Sequence, residues 1–280
     1  MSESNIAIEL KNVDKHFGAV HANSKVSLTV QSGTIHGIVG ENGAGKSTLM
    51  SILYGFYQAD SGQIKVFDKD FRATSSKQSI EAGIGMVHQH FMLVDNFTVL
   101  ENVILGSEGS ALITQSLEKA RIELTRLAKE YGLEVELDIA VEDLSVGMQQ
   151  RVEILKGLYK GAKVLILDEP TGVLTPQESD ELFRIFEALK KQGVTIILIT
   201  HKLREIMSIT DHVSVMRAGK MVAHLQTSET NPEELAELMI GRKVLLNINK
   251  TKAKSGKALL VANNLEIHNE QGLKRVTNVS

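Results

Sequence analysis

The sequence contains no cysteine. That excludes disulfides, thiol nucleophiles and cysteine-based zinc sites, and it fits a reducing compartment. No apolar run approaches the ~18 residues that a membrane helix needs, so no segment reads as a span. The opening MSESNIAIEL has no basic stretch followed by an apolar core, so no secretory signal is read there. If the function involves a membrane, another subunit must supply the spanning part. A basic excess is also missing: 31 Lys and Arg against 34 Asp and Glu give a formal net charge of −3. That argues against a general nucleic-acid binder. What remains is 280 residues of ordinary apolar and charged content, enough for one large domain or two small ones.

The chain is organised around GENGAGKST, Gly40 to Thr48, which has the spacing of a phosphate-binding P-loop. It follows an apolar strand, Ile35 to Val39, and opens a helix through Leu49, Met50, Ile52 and Leu53. Gly40, Gly43 and Gly45 let the backbone turn tightly and bring its N–H groups toward phosphate oxygens. Glu41, Asn42 and Ala44 complete the loop. The helix beginning near Lys46 points its positive end at the same anion. Lys46 is expected to reach the β- and γ-phosphates, and the Ser47 hydroxyl to hold Mg²⁺.

Alternation at Ile6, Ile8 and Leu10 and at Val26, Leu28 and Val30 predicts two half-buried strands, with Phe17 between them. Gln63–Phe67 reads as a further strand. Residues 84–93 read as a strand with Gln89 at its centre. His88 and His90 flank Gln89, but no third ligand accompanies them and no metal is assigned there. A helix is expected from Ser116, as cap, to Tyr131. The run LSVGMQQR, 144–151, places Ser145 and Gly147 at the start of another helix, where free N–H groups can meet an anion. Val164–Leu167 is a continuous apolar run, as in a strand buried on both faces. It ends in Asp168-Glu169, two carboxylates that are costly there unless a cation or polar cleft receives them. Thr175-Pro176-Gln177-Glu178 is a capping box. Val194–Ile199 is a third buried strand, ending in Thr200-His201, and Val213–Met216 a weaker one. Asn231 caps a last helix through Ile240. Three buried strands thus end at chemically loaded residues, and in parallel α/β sheets ligands bind beyond such ends.

Residues 247–257 are polar, basic and aperiodic, as in a linker. Beyond them the start of the chain recurs: Asn264-Leu265-Glu266 matches Asn12-Val13-Asp14, and Asn278-Val279-Ser280 matches Lys25-Val26-Ser27. The chain is expected to stop inside a second copy.

Taken together, the loop Gly40–Thr48, Gln89, LSVGMQQR, LILDEP and the lone His201 stand in an order that resembles ABC-transporter ATPases, over roughly residues 6 to 241. More narrowly, VHQHFMLV, LSVGMQQRVEILKGLYKGA and EPTGVLTPQE are similar to the first half of tandem ATPases that drive import of nucleosides and simple sugars. The resemblance implies an α/β P-loop fold with a mixed, largely parallel sheet, an N-terminal antiparallel β-subdomain and an inserted helical subdomain. It implies an ATPase domain over 1–243, a linker over 244–257 and the start of a second domain over 258–280. ATP and Mg²⁺ would be the cofactors. Phe17 would stack on adenine, and Gly40 to Thr48 would hold the phosphates. Ser47, Gln89 and Asp168 would serve Mg²⁺. Glu169 would be the general base, with His201, Gln89 and Lys46 at the γ-phosphate. Ser145 and Gly147 would complete the site of an opposite ATPase domain.

The implied partners are membrane permease subunits, a second ATPase domain and, indirectly, an extracytoplasmic solute-binding protein. The implied place is the cytoplasmic face of the membrane. The chain departs from the usual LSGGQ at Val146 and Met148, and from the usual Ser-Ala-Leu-Asp at Gly172-Val173-Leu174-Thr175, where Thr175 supplies no carboxylate to a partner domain. The alternatives are an ATP-binding fragment that does not turn over without its second half, and an ABC ATPase working away from membranes. The second would be expected to carry coiled coils or basic extensions, and neither is evident.

Overall fold

The computed structural model describes residues 6–89, 91–105, 113–243, 256–269 and 272–280. His90 lies outside them. The chain divides into two compact units, Met1–Val244 and Leu245–Ser280.

The first unit opens with β1 (Ile6–Phe17) and β2 (Val20–Gln31), a hairpin longer than the alternation predicts at either strand. Asn12 and Lys25 have positive φ, and Asn12 N–H donates to Ser27 Oγ at 3.0 Å. This bulge breaks the period-2 pattern without ending either strand. Then come β3 (Ile35–Val39), α1 (Lys46–Leu53), β4 (Ser61–Val66), β5 (Lys69–Asp70), α2 (Ser76–Glu81) and β6 (Ile84–Val87). The strand at β6 is shorter than expected, and Gln89 lies just past its end. The helical section holds α3 (Val99–Ile104), α4 (Ile113–Tyr131) and α5 (Val146–Tyr159). Helix α4 begins three residues before Ser116, so that residue is inside the helix and is not its cap. The rest is β7 (Val164–Asp168), α6 (Pro176–Lys191), β8 (Thr195–Ile199), α7 (Leu203–Ile209), β9 (His212–Arg217), β10 (Lys220–Gln226) and α8 (Pro232–Ile240). The capping box of α6 and the Asn231 cap of α8 both form.

Two sheets result. An antiparallel one has the order β2-β1-β4-β5, and a six-stranded one has the order β10-β9-β3-β8-β7-β6. In the second, β9, β3, β8, β7 and β6 run parallel, and β10 joins the edge antiparallel. The continuous apolar strands divide by alternation. Val164, Ile166, Ile197 and Ile199 pack with Ile8, Leu10, Leu49 and Met50 between the sheets. Leu165, Leu167, Ile196 and Leu198 face Leu124, Leu155 and Phe186 of the helices. Both faces are therefore dry, which is why the strands are apolar between their ends; the one polar residue, Thr195 at the start of β8, is buried and accepts Gly33 N–H at 3.0 Å.

Among its described residues the second unit contains one hairpin, β11 (Leu265–His268) with β12 (Lys274–Val279). Its details repeat those of β1 and β2. Asn264 and Asn278 have positive φ, Asn264 N–H donates to Ser280 Oγ at 3.0 Å, and Leu265 pairs with Val279 as Val13 pairs with Val26.

Within the main sheet, His36 of β3 is buried, and its Nε2 lies 2.7 Å from Ser214 Oγ. Its Nδ1 has no partner among the described residues. Burial pushes the ring's pKa down to about 3, with His212 and His224 adding to the shift. The folded form therefore refuses a proton that the unfolded chain accepts below about pH 6.5. Stability is expected to fall as pH drops from 6.5 toward 3, by up to about 1.4 kcal/mol per unit from this group. Urea unfolding between pH 7 and 5 checks this: His36→Gln should flatten the dependence, and an unchanged slope would refute the assignment.

Candidate functional site

Strand β3 is buried throughout and delivers the chain to Gly40 with little freedom. A Cβ at Gly40 would lie 2.2 Å from Met216 O, so only glycine lets the loop leave past β9. Gly45 caps α1 at φ 100°, and a Cβ there would lie 2.3 Å from Ala22 O. Two neighbours brace the loop, and a third bond holds one of them. Asn23 Nδ2 donates to Gly45 O at 3.1 Å, Gly219 N–H donates to Ala44 O at 3.0 Å, and Ser24 N–H donates to Gly219 O at 2.7 Å. Asn23 and Gly219 belong to no motif read above. Their part depends on contacts between remote strands, which a single sequence does not display.

Lys46 folds back over the loop, and its Nζ donates to Gly40 O at 2.8 Å and Glu41 O at 3.0 Å. Burial pulls its pKa down, while Glu169 and Asp168 work to hold it up. Asp168 closes β7. Burial pushes its carboxyl above the usual range; a Ser47 hydrogen bond opposes this, Glu169 adds to the rise and Lys46 opposes it. Glu169 adopts φ 51°, outside the usual region for a residue with a side chain, and its N–H donates to Ile199 O at 2.9 Å. His201 Nδ1 lies 2.7 Å from Glu169 Oε1. Because a carboxylate only accepts, Nδ1 carries the proton and Nε2 is left for another partner.

These residues share one cleft of about 720 Å³. Its wall contains Phe17, residues Asn42 to Thr48, Gln89, Asp168, Glu169 and His201, together with Val20, His21 and Ala22. Gly40 and Glu41 form the base of the loop. Phe17 ends β1, 42% exposed, with Tyr57 edge-on at 5.0 Å and Lys15 Nζ 5.3 Å from the ring centre. Ser145 and Gly147 stand elsewhere. Ser145 caps α5, accepting from Met148 N–H, and with Gly147 and Glu178 it lines a separate cavity of about 100 Å³. Behind Gln89, Glu153 of α5 accepts Met92 N–H at 3.0 Å, and Lys156 Nζ donates to Met92 O at 2.9 Å. That pair ties the segment after Gln89 to the helix that Ser145 begins. The buried Glu153 has its pKa raised by desolvation.

A family model described as ABC transporter matches residues 23–172. The chain belongs to that family. Among curated relatives, the nucleoside import ATP-binding protein NupA of Lactococcus lactis is 47% identical, the match covering 98% of this chain and 54% of the relative. The guanosine import ATP-binding protein NupO of Bacillus subtilis is 46% identical over the same shares. The glucose import ATP-binding protein TsgD13 of Haloferax volcanii is 42% identical over 97% of this chain and 54% of its own. The chain spans about half the length of these relatives. Among solved structures, the ADP conformation of an ATP-binding cassette of an ABC transporter superposes with a TM-score of 0.73. It is 27% identical, covering 85% of this chain and 99% of the other. The fold is therefore that of an ABC cassette, with the antiparallel β-sheet at the N-terminus and helices α3 to α5 inserted in the core.

Gly45→Ala places a side chain both at φ 100° and against backbone. It is expected to lower Tm by on the order of 5 °C. Thermal unfolding reads this directly, and an unchanged Tm would mean that the loop relaxes away from Ala22.

Proposed function

We propose that the chain is an ATP-hydrolysing, energy-coupling subunit of an importer for nucleosides or simple sugars. The observation that carries the reading is the meeting of Lys46, Ser47, Gln89, Asp168, Glu169 and His201 on one cleft. Phe17 offers a face to adenine, and the N–H groups of the loop with Lys46 hold the β- and γ-phosphates. The Ser47 hydroxyl, the Gln89 amide oxygen and the Asp168 carboxylate are hard oxygen donors on the same wall, a set that suits Mg²⁺. Bound there, the ion would neutralise charge on the phosphates. Glu169 takes the proton of the attacking water. Its bond to His201 Nδ1 holds the ring so that Nε2 serves the γ-phosphate and that water. Ser145 and Gly147, apart from this cleft, complete the site of a facing ATPase domain.

Similarity to NupA, NupO and TsgD13 supports import of nucleosides or simple sugars, with the nucleoside proteins at 47% and 46% identity. In this reading the partners are a membrane permease, a second ATPase domain and, through the permease, an extracytoplasmic binding protein. Among the described residues no helix is long and apolar enough to cross a membrane. In this reading the subunit sits peripherally on the cytoplasmic face of the membrane, beside the permease. The ATPase domain would span 1–243 and the linker 244–257. The hairpin in 258–280 would begin a second domain. Its support is the repeated bulge: residues 264 and 12 differ by 252, residues 279 and 26 by 253.

One observation favours a second reading, in which this chain binds ATP but needs a second half for turnover. Leu265 and Val279 of the hairpin and Leu260 just before it are exposed, whereas the residues 252 or 253 positions earlier, Val13, Val26 and Ile8, are fully buried.

Glu169→Gln is expected to cut ATP hydrolysis by about 10²-fold or more while nucleotide still binds. Light scattering of that variant with MgATP separates the two readings. An ATP-dependent dimer means one chain's surfaces suffice for both sites. A monomer that binds ATP favours the second reading, and a chain that binds no ATP sinks both.

A further inference from the structure

Behind Glu169 and His201 lies another carboxylate, marked by no motif. Glu205 stands in the first turn of α7 and is 8% exposed. Its Oε1 accepts the Thr171 hydroxyl, its Oε2 accepts the Thr200 hydroxyl at 3.1 Å, and Lys202 Nζ lies 3.3 Å from Oε1. Lys202 Nζ also donates to Thr171 O at 2.9 Å and to Thr171 Oγ1 at 3.1 Å. Thr200 Oγ1 accepts Lys202 N–H at 3.1 Å. Both threonines are buried.

The positions matter. Thr171 follows Glu169 by two residues, and Thr200 immediately precedes His201. One buried carboxylate thus straps together the two loops whose leading side chains meet at 2.7 Å. We propose that Glu205 is a positioning residue that sets the His201 ring against Glu169. The inference rests on the hydrolytic reading for its consequence, though not for its geometry.

The physical reason is the cost of a half-satisfied buried charge. A desolvated carboxylate holds its donors tightly, since water cannot replace them. Either loop can move only by breaking a charge-assisted bond. Without the strap, each loop retains its backbone path but loses its angle to the other. Displacement of a reacting group by about 1 Å is enough to slow a reaction about 10²-fold. A carboxylate that merely fastens α7 would change stability and leave the ring alone.

Glu205→Gln keeps the shape and replaces one acceptor with a donor, so one threonine loses its partner. Thr171→Val removes one strap without changing side-chain size much, and Thr171→Ser restores the hydroxyl. The readouts are the His201 Nδ1 signal in ¹⁵N-histidine NMR spectra, assigned with His201→Gln, and steady-state ATP hydrolysis. In Glu205→Gln and Thr171→Val, the Nδ1 signal is expected to move toward that of a free ring. In the same variants kcat should fall about 10- to 100-fold, with KM for ATP within about twofold. Thr171→Ser should match the parent in both readouts. An unmoved ring signal in both variants overturns the inference, whatever happens to Tm. A moved ring with unchanged kcat overturns its catalytic consequence. A parent chain that hydrolyses no ATP, with a ring that still responds, would count against the hydrolytic reading and leave the positioning role standing.

Discussion

The site depends on the ladder of parallel hydrogen bonds that joins β3, β8, β7 and β6. Ile38, Ile199 and Asp168 stand in one row across that ladder, and Val87 is paired with Leu167 on the far side. Neighbouring strands lie about 4.8 Å apart, so whatever follows each strand end is delivered beside its neighbours. The phosphate loop, His201, Glu169 and Gln89 follow in that spatial order. No one of these loops needs to reach far, and none chooses its position by itself. The apolar runs that form the strands thus do the aiming for polar residues at their ends.

That arrangement concentrates charge where water is scarce. Lys46, Asp168 and Glu205 are each buried, and each is matched by bonds that local backbone or an adjacent loop supplies. Pairing of this kind contributes little net stability, because desolvation offsets the attraction. Its effect is to make alternative placements costly. Glu169 illustrates the other side of the balance: its positive φ is held by the Ile199 carbonyl and by the Gly172 N–H bond to its own carbonyl. Strain at one residue persists because the surroundings over-determine it.

Much of this was legible in the sequence for physical reasons that act locally. The glycine spacing of the loop, the continuous runs of β7 and β8 and the capping box of α6 each encode a backbone conformation in a few adjacent residues. What was hidden depends on remote contact. Strand β10 alternates, but it is only half covered and gains its place by pairing with β9. Helix α7 has seven residues and no side-chain cap, so nothing announces its start. The hairpin of β1 and β2 continues through a bulge that scrambles its period. Among the residues that brace the cleft and its loops, Asn23, Glu153 and Glu205 look like ordinary polar positions until the fold brings their partners near.

The bracing of Gly45 and Ala44 by Asn23 and Gly219 also bears on how fast a ligand can arrive. A loop already held in its cradle has little conformational entropy left to lose, so occupation requires no prior ordering of the backbone. Encounter then resembles the docking of an ion into a rigid receptor, governed by diffusion and by the local field of Lys46 and the α1 dipole. The slow steps of a working cycle would lie in larger rearrangements, not in the shaping of this loop.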